Sequence, residues 1–142
     1  MKILYAARMC RYDLLRAVSA LARFVSRWTP LQDKMLHRLV SYINSSLDRK
    51  LFGWIGDARA DLKITLYADA DFAGDTETMR STSGVFVALT GPNSFYPISA
   101  LSKRQSCVSH STPEAELVAV DLAIRTEGLP ALDLWSLLLQ DK

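Results

Sequence analysis

The chain has 142 residues, long enough for one domain with a real core, and 49% of them are hydrophobic, which argues against disorder. Its formal net charge of +2 is too small for charge alone to imply a nucleic-acid partner. Cys10 and Cys107 have neither metal-ligand spacing nor a disulfide framework, so a reducing compartment is expected.

Residues 1–7 hold too short an apolar run for a signal peptide. No stretch reaches the roughly 18 apolar residues of a membrane span. Leu14, Leu15, Val18, Leu21, Ala22 and Val25 recur at spacings of three and four and predict an amphipathic helix over 12–28, with Asp13 as a cap or dipole partner near its start. Thr29-Pro30 separates it from a second helix over about 31–46, which puts Met35, Leu36, Leu39, Val40 and Ile43 on one face. Basic residues crowd these first fifty positions, and acids crowd the middle of the chain. Leu51–Ile55 reads as a short strand, and the polar turn from Gly56 to Leu62 as a boundary between segments 1–60 and 61–142.

From Lys63 to Asp69, Ile64, Leu66 and Ala68 alternate with Thr65, Tyr67 and Asp69, as a strand requires. Gly74–Ser83 reads as a polar loop and Gly84–Thr90 as a second strand. Gly91-Pro-Asn93 reads as a turn, and Ser94–Leu101 as a third strand that Pro97 assigns in part to an edge or bulge. Lys103-Arg-Gln105 reads as a basic loop. Ser111 precedes Glu114 at capping-box spacing, with Pro113 in the first turn of a helix that runs to about Arg125. A bend at Gly128-Leu-Pro130 leads to a last apolar helix over 131–140.

The segment Ile64-Thr-Leu-Tyr-Ala-Asp-Ala-Asp-Phe-Ala-Gly-Asp75 therefore runs a buried strand into three carboxylates, and Ser111-Thr-Pro-Glu-Ala-Glu116 opens a helix with two more. A strand-borne Asp and a helix-borne Glu that converge make a hard-oxygen site of the kind that holds Mg²⁺ beside phosphate oxygens. The residues alone support an α+β domain with an acidic metal site. Carboxylate clusters also bind calcium, but the EF-hand spacing is absent.

Four ordered motifs, Tyr67-Ala-Asp69-Ala-Asp71-Phe-Ala-Gly-Asp75, Arg80-Ser-Thr-Ser-Gly84, Ser102-Lys-Arg-Gln105 and Ser109-His-Ser-Thr-Pro-Glu-Ala-Glu116, resemble the ribonuclease H domain of copia-type retrotransposon Pol polyproteins. More loosely, Leu4-Tyr-Ala-Ala, Arg11-Tyr-Asp13, Ala17-Val-Ser and Arg38-x-x-x-Tyr42 resemble the segment that connects reverse transcriptase to ribonuclease H in those polyproteins. The resemblance implies an α+β fold of two N-terminal helices followed by a partial ribonuclease H-like fold, a three-stranded antiparallel meander plus a long helix, lacking the later strands and helices. It also implies hydrolysis of the RNA strand of RNA–DNA hybrids by two metal ions, Mg²⁺ or Mn²⁺. Asp69 and Glu116 would be the catalytic, metal-binding carboxylates.

The residue-level alternatives are a turn-forming Asp69, a Glu116 favoured only by the helix dipole, a loop-fixing Asp71 and a solvated Asp75. Ser81, Thr82, Ser83, Lys103, Arg104 and Gln105 are candidate nucleic-acid contacts, with turn residues and a solvated basic loop as the alternative. His110 reads as ordinary surface. Three departures bear on the family pattern: Tyr12 stands where the family has Pro, Phe72 where it has Trp, and Pro113 is inserted before Glu114. Lys142 falls where the family's next strand, with an Asp-Asn that completes the metal site, would begin; Asp133 and Asp141 do not match that motif. The expectation is weak metal occupancy and little or no turnover. The rival reading is an inactive truncated or domesticated copy that acts at most as a nucleic-acid-binding or structural module. Self-association through an open sheet edge, no membrane partner, and an intracellular setting in the cytoplasm or a virus-like particle complete the expectations.

Overall fold

The computed structural model describes residues 2–75 and 77–140, except for the side chains of Leu139 and Gln140; Asp141 and Lys142 lie outside the described residues. The architecture is α+β, with N-terminal helices, a three-stranded antiparallel sheet and a long helical stretch after it. The chain divides into two compact units, Met1–Leu51 and Phe52–Lys142.

The first unit contains α1 (Lys2–Met9), α2 (Leu15–Ala22) and α3 (Pro30–Asn44), with 3₁₀ turns at Tyr12–Leu14 and Val25–Arg27. The helix predicted over 12–28 is thus a 3₁₀ turn, a regular core and a second 3₁₀ turn. Helix α1, which sequence periodicity did not announce, precedes it. Leu14, Leu15, Val18 and Leu21 are buried, so most of the first predicted apolar face forms the core, although Ala22 and Val25 are exposed. Of the face predicted for α3 only Leu39 is buried, Leu36 and Ile43 are half-buried, and Met35 and Val40 are exposed. Thr29 caps α3: its hydroxyl accepts from Leu31 N (3.3 Å), its own N–H donates to Gln32 Oε1 (3.1 Å), and Pro30 occupies the first turn. Between α2 and α3 lies a largely apolar cleft of about 320 Å³.

Asp13 is not a helix cap. Arg11 grips it with Nε and Nη2 (3.0 and 2.9 Å), and Tyr42 OH donates to it at 2.9 Å. Arg11 also donates to Ser46 O (3.1 Å), and Arg49 donates to Tyr42 OH (2.9 Å). The bidentate Arg11 pair, helped by Tyr42, holds the Asp13 carboxyl below its ordinary pKa. Two sequence motifs far apart, Arg11-Tyr-Asp13 and Arg38-x-x-x-Tyr42, thereby share one knot that ties the turn before α2 to the end of α3.

The second unit is built on β1 (Lys63–Asp75), β2 (Arg80–Gly91) and β3 (Ser94–Arg104), in the order β1-β2-β3. All three strands are longer than their alternation predicts. Asp71 and Asp75 lie on β1, and Lys103 and Arg104 lie on β3, rather than in loops. The 51–55 segment contributes a single bridge, Trp54 to Phe95. Pairing runs without interruption from Lys63↔Thr90 to Asp71↔Thr82 and resumes, after an irregularity, at Asp75↔Arg80. Near this irregular end Ala73 and Met79 take positive φ (50° and 55°). The irregularity between Val87 and Ala88 faces Pro97, in keeping with the edge position predicted for that residue.

Helix α4 (Thr112–Ala123) begins as predicted, with Ser111 Oγ accepting from Glu114 N (3.3 Å). The Glu114 carboxylate returns to His110 N (2.7 Å). Ala115, Ala119 and Ala123 are fully buried along one stripe, which lets the helix lie close on the sheet. A π-helical segment, Ile124–Gly128, stands where a bend was expected and leads into α5 (Leu129–Gln140). Its Glu127 accepts from Ser99 Oγ at 2.7 Å.

Candidate acidic site on the sheet

Strand parity decides where each candidate residue faces. Directly paired residues of an antiparallel sheet share a face. Ser83 pairs with Ala70, Val85 with Ala68 and Val87 with Leu66, and Ser83, Val85 and Val87 are buried. Gln105 links this face to α4: its Nε2 donates to Ser83 Oγ (3.1 Å) and to Ala115 O (2.9 Å), while Ser109 Oγ donates to its Oε1 (3.3 Å). Helix α4 therefore packs on the Ser83 face.

Asp69 pairs with Gly84, one residue out of phase, and so belongs to the opposite face. It is exposed there, on the same side as Tyr67 and Phe86. On this side Trp54, Phe95, Phe86 and Tyr67 form a row of rings with successive centroids 5.8, 6.1 and 6.0 Å apart. Glu116 follows the buried Ala115 on α4 and is itself half-buried. Asp69 thus lies on the face of the sheet that α4, with Glu116, does not cover, and β1 is an edge strand among the described residues. A common ion would have to be reached around that edge.

Asp71 also belongs to the Asp69 face, and its carboxylate lies so close over Gly74 that any Cβ there would collide with it. Asp75 is buried and accepts from Arg104 Nη1 (2.9 Å) and Thr78 Oγ1 (2.6 Å). Its role is to hold β1 to the far end of β3. Among the described residues no three His, Cys, Asp or Glu side chains form a group able to hold a metal ion.

The candidate nucleic-acid contacts divide by burial. Ser81 and Ser83 are both 0% exposed and Gln105 is 5% exposed. Ser81 Oγ accepts from Ala73 N at 3.1 Å, and the other two form the α4 linkage just described. These three serve the interior of the unit, whereas Thr82, Lys103 and Arg104 reach the surface. The period-two series Ser81-x-Ser83-x-Val85-x-Val87 carried this information, because it puts the serines in phase with two core valines. Asp57, not singled out from sequence, fastens the β2–β3 turn. It accepts from Asn93 N (2.8 Å) and Asn93 Nδ2 (3.1 Å), and the Ser94 hydroxyl, followed by Asn93, lowers its pKa. Among the described residues no helix is long and apolar enough to cross a membrane.

No protein-family model matches the chain, and no solved structure does. Curated proteins do. Secreted RxLR effector protein 161 of Plasmopara viticola is 35% identical over 121 residues, which span 85% of this chain and 80% of that protein. The retrovirus-related Pol polyprotein from transposon RE2 of Arabidopsis thaliana is 36% identical over 110 residues, 78% of this chain. The corresponding polyprotein from transposon TNT 1-94 of Nicotiana tabacum is 30% identical over 118 residues, 82% of this chain. The matched regions span only 7% and 8% of the length of those two polyproteins. The chain thus belongs to one family with secreted RxLR effector protein 161 of Plasmopara viticola and is a copia-type Pol-related region.

Proposed function

We propose that the Phe52–Lys142 unit is of the ribonuclease H type, from a polyprotein whose parent domain hydrolyses the RNA strand of RNA–DNA hybrids. In this reading Asp69 and Glu116 are the carboxylates that hold Mg²⁺ or Mn²⁺, and Thr82, Lys103 and Arg104 meet the nucleic acid. The observation that carries the reading is the exposed Asp69 on an edge strand, followed in chain order by a hairpin, a third strand and a helix whose first turns hold Glu116. The similarity to Pol polyproteins supports it.

The fit to a metal pair is incomplete. An Asp69 on the face that α4 leaves open and a Glu116 on α4, with no third ligand gathered beside them among the described residues, do not make a two-metal centre. No hydrolytic step through bound ions follows from this geometry. That same observation favours a second reading, a module that cleaves nothing and acts through nucleic-acid binding or structure. The Plasmopara viticola relative is by name a secreted effector.

Incubating the folded protein with a labelled RNA–DNA hybrid and Mg²⁺ or Mn²⁺, alongside Asp69→Asn, separates the two. Cleavage that the substitution abolishes supports the nuclease reading. A folded protein that leaves the hybrid intact sinks it and leaves the second reading.

A further inference from the structure

The outer edge of β1 is a 13-residue strand with no pairing partner among the described residues, in an order in which only its inner edge meets β2. Long unpaired edges are templates for another strand unless they are blunted. The charges on β1 do not blunt it; they select a register. Lys63 near its start and Asp69 six residues later are both exposed and share a face by parity. In parallel pairing in register, like charges meet. In antiparallel pairing about Leu66, each lysine meets an aspartate.

We propose that two copies of this chain pair antiparallel through the outer edges of their β1 strands, about a two-fold axis beside Leu66. Lys63 of each copy lies against Asp69 of the other, and Thr65 lies against Tyr67. On the opposite face Ile64 meets Ala68 and the two Leu66 side chains meet each other. That is the face covered by α4, where a Cβ on Gly128 would come within 3.0 Å of Leu66 Cδ2. Helix α5, which touches β1, carries exposed Leu134, Leu137 and Leu138. One register therefore satisfies both faces, apolar against apolar on the helix side and opposite charges on the other. The three-stranded sheets become one six-stranded sheet with isologous symmetry. A register slip by one residue would put Lys63 across from an alanine, Ala68 or Ala70, and break the charge match. The pairing draws on Asp69, which the nuclease reading assigns to a metal ion, so Lys63→Glu, at a residue outside that reading, tests the pairing without touching the nuclease reading.

Light scattering of the 15.9 kDa chain at rising concentration should reach twice that mass. Lys63→Glu and Asp69→Lys should each weaken the dimer roughly tenfold, because each turns two attractive cross-strand pairs into repulsive ones. An equimolar mixture of the two variants should restore it, since glutamate then meets lysine and Asp69 meets Lys63. Circular dichroism checks that both variants fold. Without any substitution, hydrogen exchange should show the outward-facing β1 amides gaining protection as concentration rises. The proposal is overturned by a chain that stays monomeric throughout, by a dimer indifferent to both variants, by a mixture of folded variants that stays apart, or by β1 amides whose exchange ignores concentration.

Discussion

The two units fasten their parts by different means. In Met1–Leu51 the fastening is charged and partly wet: Arg11, Asp13, Tyr42 and Arg49 join the turn before α2 to the end of α3. Where α4 meets the sheet in Phe52–Lys142 it is neutral and dry: the Gln105 amide bridges the two, with every side-chain bond internal. An exposed ion pair is weakened by salt and competes with water, so it contributes little net stability. A buried amide gains little when made but leaves orphaned partners when removed. The lesson is that the charged knot sets how the first unit responds to its medium, whereas the amide sets how firmly α4 is held to the sheet in the second.

Gln105→Ala offers the largest test of this contrast. It leaves the Ser83 and Ser109 hydroxyls without their Gln105 partner in a dry layer, opens a cavity there, and should cost about 2–3 kcal/mol. The loss should be nearly independent of salt and visible as faster hydrogen exchange in β2 and α4. A loss well under about 1 kcal/mol would mean that water reaches this layer.

Asp13→Asn should cost at most about 1 kcal/mol, and less at high salt. Its pH signature is more specific. The folded-state pKa of Asp13 lies below that of the unfolded chain, so its stabilisation is fully present above the ordinary carboxylate value of about 4 and fades as pH falls through the folded value. Exchange protection in α3 should therefore drop as the wild-type protein is acidified below about 4, and the drop should be much smaller in the variant. An unchanged acid response would place the titrating group elsewhere.

Much of the fold is legible in the chain because turn and cap signals are local. Thr29-Pro30, Gly91-Pro-Asn93, Pro97 and Ser111 each act where the structure has a boundary or an irregularity. Helix α1 is not legible: eight residues are too few to form a helix by themselves, so only packing holds them there. The far ends of the strands are not legible either. Asp and Gly are poor strand formers, and the Asp71–Asp75 stretch is held in β1 by its pairing with β2 and by Arg104 on Asp75. At the candidate site the chemistry of Asp69 and Glu116 can be read from residue type, but their relation to each other cannot. That relation depends on the face taken by the strand, and the helix chooses the Ser83 side through Gln105, a residue that reads from sequence as part of a basic loop.

The corner where β1 passes into β2 has a consequence for how this family can vary. Ala73 and Met79 hold left-handed backbone, a region that L side chains enter reluctantly and glycine enters freely. Drift toward glycine or asparagine at Met79 would relieve the backbone, whereas valine, isoleucine or threonine would be excluded. At this one corner the residue that elsewhere loosens a chain is the one best suited to it.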